Sequence, residues 1–141
     1  MKNEDEPVSA DESIVRLIWR EFLRPGEMVP ILPVAFKPRA NETEGVSVFR
    51  LACLNKPMDA LTAMLPEKRG GYAIAVFPVS ELYALGLSVM PAKIDSVPGH
   101  ALIPELNFAA VSADTSAWKV IQLALAQIAA RNLILPGDSQ S

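Results

Sequence analysis

Proline punctuates this chain from end to end. Twelve of the 141 residues are proline, and each, with a fixed φ and no backbone N–H, limits the strand or helix it meets. Pro30 and Pro33 interrupt the apolar run Met28 to Phe36, so any strand there is short or at an edge. Pro57 stands at the first turn and Pro66 at the end of a short helical pattern over 56–65. Pro91 ends Leu87-Ser88-Val89-Met90, and Pro104 confines Ala101 to Leu106 to an edge or an end. Short elements packed on one another are therefore expected.

Between the prolines the patterns are legible. Ser9 and Glu12 stand in the Ser-x-x-Glu relation of a capping box, and Ile14, Val15, Leu17, Ile18, Trp19, Phe22 and Leu23 cover a broad arc at helical spacing. This predicts a first helix, stopped by Pro25-Gly26. On it Arg16, Arg20 and Arg24 would form one row, able to grip phosphates or to cover the helix rim with their stems. Val46 to Leu51 alternates as a strand should, and Tyr72 to Phe77, without a charge, reads as the central strand. Residues 78–86 suit a helical turn or two closed by Gly86. Asp114 or Thr115 caps a final helix from about Ser116 to Asn132, apolar nearly all round, with Val120 and Leu123 off its main face.

The expected architecture is α+β: a single compact domain over 9–135, in which a small mixed β-sheet (near 28–36, 46–51, 72–77, 87–90 and 101–106) is flanked by an N-terminal and a long C-terminal helix. Residues 1–8, an acidic stretch, and 136–141 are expected to be disordered tails.

Composition narrows the function. Half the residues are hydrophobic, so a chain of this length can bury a core without staples. A net charge of −3 offers no overall attraction to nucleic acid, and no apolar stretch approaches the roughly 20 residues a membrane helix needs. The single cysteine, Cys53, sits among Leu51, Ala52 and Leu54, where an inert buried thiol is expected; no spacing suits a metal, and no cofactor is implied. Without a signal peptide pattern, the cytoplasm is the expected compartment.

The only histidine, His100, follows the turn Pro98-Gly99 and leads into an apolar run. It is the candidate catalytic residue, in the role of general base, with Phe36, Lys37, Ser47, Arg50 and Tyr72 as candidate ligand-binding residues. The alternative is a histidine whose ring satisfies loop carbonyls.

Several short motifs carry a resemblance: Ala35-Phe36-Lys37-Pro38, Glu44-Gly45-Val46-Ser47-Val48-Phe49, Val79-Ser80-Glu81-Leu82 with Leu85-Gly86-Leu87, and Pro98-Gly99-His100-Ala101-Leu102-Ile103. In them the chain resembles a group of small bacterial proteins of unassigned function. The resemblance implies a bacterial origin and a compact α+β domain, and it carries no activity. Because most catalytic signatures are absent, the leading expectation is a binding or accessory module that acts through a protein partner, or self-associates, by way of the apolar C-terminal helix. The second is a small enzyme or binder acting on a nucleotide or other phosphorylated ligand through a pocket of His100, Lys37 and Arg50.

Overall fold

The first strand, β1 (Ser13–Trp19), lies at the heart of the sheet, where the sequence pattern points to a helix. In this computed structural model, which describes residues 3–137, the sheet runs β4-β5-β2-β1-β3-β6, with β2 (Val46–Arg50), β3 (Tyr72–Pro78), β4 (Met90–Pro91), β5 (His100–Ile103) and β6 (Leu133–Ile134). The α+β class and the long C-terminal helix stand as expected, with two corrections. First, β1 is buried on both faces: Ile14 and Ile18 join the core under the helices, while Val15 joins the core on the other face. A strand covered on both sides loses its polar alternation and imitates a helical arc. The Ser9–Glu12 pair does form, with the Ser9 N–H donating to Glu12 Oε2 (2.9 Å), but the Glu12 N–H returns to the Ser9 carbonyl and closes a turn that feeds the strand.

Second, the sheet is not mixed: every pairing is antiparallel. β2 and β3 do run the same way, but β1 lies between them and pairs with both. No two parallel strands become neighbours.

One face carries α1 (Val79–Ala84), α2 (Phe108–Ala113) and α3 (Thr115–Ala129), together with the 3-10 turn Pro33–Phe36, which takes the place of the strand expected near 28–36. Phe36 packs edge-on to Phe77 there, centroids 6.0 Å apart. Asp114 caps α3 by accepting from the Ala117 N–H, and the buried alanines Ala126 and Ala129 sit in the same core as the sheet. The opposite face is closed by shorter pieces, the 3-10 turn Pro57–Ala63 among them, over Phe49, Ile74 and Val76.

The acidic N-terminal stretch is not a frayed tail from residue 3 onward. Arg50, fully buried, receives it: Nη1 donates to the carbonyls of Glu4 and Glu6, Nη2 to that of Pro7, and Nε and Nη2 to the Glu12 carboxylate, both at 2.9 Å. A guanidinium has five N–H donors, and each finds an acceptor. Of the C-terminal tail, residues 138–141 lie outside the described residues.

Candidate functional site

The sheet is split. β1 pairs with β3 along its whole length, from Ser13–Pro78 to Trp19–Tyr72, but with β2 only at Ile14–Arg50 and Val15–Phe49. Past that point the ladder stops, and a cleft of about 600 Å³ opens between the two strands. Arg16 stands where the ladder ends. Its Nη1 donates to the Ser47 carbonyl (2.8 Å) and its Nη2 to that of Ala35 (2.9 Å), so the side chain spans the gap and ties the turn Pro33–Phe36 to both strands.

Arg16 is held by carbonyls and not by carboxylates; it has no ion-pair partner among the described residues. Its guanidinium lies 5.9 Å from the centre of the Phe36 ring. Burial pulls its pKa below the ordinary arginine value, with the Glu42 charge working against that shift and the Arg39 charge adding to it. Lys37 and Arg39, both exposed, line the same cleft, and Glu42 is the one carboxylate there among the described residues. Glu42 is itself engaged, its Oε1 accepting from the Arg39 N–H at 2.9 Å.

The other wall is aromatic. Trp19 at the end of β1 and Tyr72 at the start of β3 face each other across paired positions, ring centroids 4.4 Å apart, and the Arg39 guanidinium lies 5.9 Å from the Trp19 ring. Phe49 and Met64 add to the apolar lining.

His100 and Ser47 meet at the β5–β2 side of the cleft. Phe49 and His100 are cross-strand partners, Ser47 lies two residues before Phe49 on the same face of β2, and the two side chains meet diagonally. His100 Nδ1 is 2.6 Å from the Ala92 carbonyl and Nε2 is 3.1 Å from Ser47 Oγ. A carbonyl only accepts, so in the neutral ring Nδ1 carries the proton and Nε2 accepts from the serine hydroxyl. Phe49 backs the imidazole edge-on at 5.3 Å.

Of the residues singled out in the sequence, His100, Lys37, Ser47 and Tyr72 line this one cleft. Arg50 does not: it is fully buried, with every donor spent on Glu12 and the N-terminal carbonyls. Phe36, also fully buried, supports Arg16 from within the core. The arginine row dissolves, because in a strand i and i+4 fall in line only while the strand lasts, and β1 ends at Trp19. Arg20 reaches the Pro136 carbonyl and Arg24 the carbonyls of Glu21 and Leu23. Arg16, Trp19 and Arg39 are the site residues not singled out for it; the alternation Ile14-Arg16-Ile18 against Val15-Leu17-Trp19 was the signal for the first two.

Among the described residues no group of three or more His, Cys, Asp or Glu side chains is placed to hold a metal ion, and no helix is long and apolar enough to cross a membrane. No family model, no curated protein and no solved structure matches the chain.

Proposed function

We propose that the split in the sheet is a binding cleft for a nucleotide or a similar phosphorylated ligand with a planar, partly apolar body. The observation that carries this reading is Arg16, a cation tied only to carbonyls at the floor of a cleft that Lys37 and Arg39 also line. Anions are the complement of such a wall, and arginine suits phosphate by its forked, permanently charged donors. The Trp19–Tyr72 wall gives a base a surface to lie against, and about 600 Å³ falls within the roughly 300–1,000 Å³ of small-molecule sites. The reading departs from a His100/Lys37/Arg50 pocket in one member: Arg16 replaces Arg50. A cytosolic location suits it, since a single cysteine can form no disulfide within the chain.

The test is a thermal-shift and calorimetric panel at low salt: adenosine, its mono-, di- and triphosphates, and inorganic phosphate. Phosphorylated members should stabilise the protein, by about 2.7 kcal/mol at a hundredfold excess over Kd, and adenosine should do so far less. A panel with no response overturns the reading.

A second reading, an accessory module acting through a protein partner or a second copy, rests on α3. Val120 is 68% exposed and Leu123 43%, neighbouring apolar side chains on its outer face.

A further inference from the structure

We propose that Ser47 and His100 form a nucleophile and general-base pair that attacks a phosphoryl group of the ligand bound in the cleft. The proposal rests on the cleft being a ligand site and adds a reaction to it. Three observations carry it. Ser47 Oγ and His100 Nε2 are at hydrogen-bond distance, 3.1 Å, and both residues line the cleft. The Ala92 carbonyl, 2.6 Å from Nδ1, fixes the tautomer that leaves Nε2 free to take the serine proton, the orienting role that an activated serine requires of a third group. The Arg16 guanidinium is hydrogen-bonded to the backbone carbonyl of Ser47 itself (2.8 Å) and lines the same cleft, so a positive charge is held at the nucleophile's own residue, where it would offset the negative charge on the oxygens of a phosphoryl group under attack.

The step balances within these groups. Ser47 Oγ forms a bond to phosphorus as its proton passes to His100 Nε2; the bond from phosphorus to the leaving oxygen breaks, and that oxygen leaves with the electron pair and takes the proton from His100. Water, deprotonated by His100, then displaces the phosphoryl group from Ser47, returning Oγ–H and releasing phosphate. The substrate class is a phosphoester or phosphoanhydride, and the co-reactant is water.

A fluorophosphonate tests the nucleophile without knowledge of the natural substrate: attack by Ser47 Oγ joins it to phosphorus, fluoride leaves, and His100 takes the proton. The expected result is one adduct, mapped by peptide mass spectrometry to Ser47, formed at least tenfold more slowly in His100→Gln and absent in Ser47→Ala, with both variants checked for cooperative melting. If His100→Gln fails to fold, slowing of the wild-type adduct by a nucleotide that binds in the thermal-shift panel decides in its place. Adduct at other residues, no adduct, or equal rates in wild type and a folded His100→Gln overturns the proposal. Nucleotide binding without an adduct at Ser47 removes the reaction and leaves the cleft reading standing; no nucleotide binding with an adduct at Ser47 does the reverse.

Discussion

Arg50 and Glu12 clasp each other in the core, Nε to Oε1 and Nη2 to Oε2, both at 2.9 Å, with the arginine side chain 0% and the glutamate 4% exposed. The pair joins the end of β2 to the turn before β1, and through the carbonyls of Glu4, Glu6 and Pro7 it also anchors the N-terminal stretch. Removing one partner strands the other. Arg50→Met should therefore cost about 3–5 kcal/mol, read from denaturant midpoints. The hydrogen-bonded Glu12 carboxylate holds the Arg50 pKa above the ordinary arginine value, against the pull of desolvation. A base with a raised folded pKa contributes stability that is fully present below its unfolded value and lost only above its folded one. The Arg50 share should thus be constant across the whole neutral range.

Gly99 supports the same region from the other side. Its φ is +85°, and a Cβ there would stand 2.7 Å from the Cys53 Cβ and 3.1 Å from the Arg50 carbonyl. Gly99→Ala is strained in backbone and crowded in space, and a loss of about 1–3 kcal/mol is expected. The residue that follows is His100, whose carbonyl also accepts from the Ala92 N–H at 2.9 Å. The variant should therefore weaken ligand binding in the cleft as well as lower the melting temperature.

How far the sequence speaks depends on what each residue faces. β2 and β3 are readable because β-branched and aromatic side chains alternate between two apolar faces in runs that prolines and glycines bound. α3 is readable from its cap and length. β1 is not, since Ile14, Val15 and Ile18 are buried on opposite faces, and one stretch of residues satisfies both a strand buried on two sides and the arc of a helix. That single ambiguity also hid the site. On a helix Arg16 joins Arg20 and Arg24 in a solvated row; on a strand it sits between Ile14 and Ile18 and turns inward to the break in the ladder. Arg50 misled in the opposite sense. Nothing local in Phe49-Arg50-Leu51 reveals that Glu12 and three carbonyls of the N-terminal stretch consume its donors.

Lys37 and Arg39 separate ligand binding from folding. Both are exposed, and neither side chain has an ion-pair partner among the described residues. Lys37→Ala and Arg39→Ala should leave the melting temperature of the free protein within the small range of surface substitutions. If each side chain reaches a phosphate, its loss should cost about 1.5–3 kcal/mol of binding, more than tenfold in Kd, and flatten the salt dependence. Titration calorimetry at two ionic strengths reads both effects.

The outer face of α3 gives the protein-partner reading its own measurement. Val120 and Leu123 are three residues apart and so lie side by side on the helix surface, both exposed. If that face joins two copies, light scattering should return a mass above one chain, and Leu123→Glu should bring it down, because a charge buried against Val120 of a second copy is expensive. A single-chain mass for the unaltered protein at high concentration rejects self-association through this face.

His100 distinguishes a proton acceptor from a structural ring. Its Nδ1 faces the Ala92 carbonyl at 2.6 Å and its Nε2 faces Ser47 Oγ at 3.1 Å, so the imidazole joins the start of β5 to both the segment after β4 and the face of β2. His100→Ala leaves a carbonyl and a hydroxyl without their partner, and removes the edge that packs on Phe49 at 5.3 Å. A loss of about 1–3 kcal/mol should follow. His100→Gln should recover part of it, since the amide can donate through nitrogen and accept through oxygen. What glutamine lacks is a site that takes a proton at neutral pH. The two substitutions should therefore order differently in two measurements: glutamine above alanine in thermal stability, and both reduced by roughly two to four orders of magnitude in any phosphoryl transfer at Ser47. A His100→Gln protein that melts near the wild type and still turns over at the wild-type rate would confine His100 to the structural role.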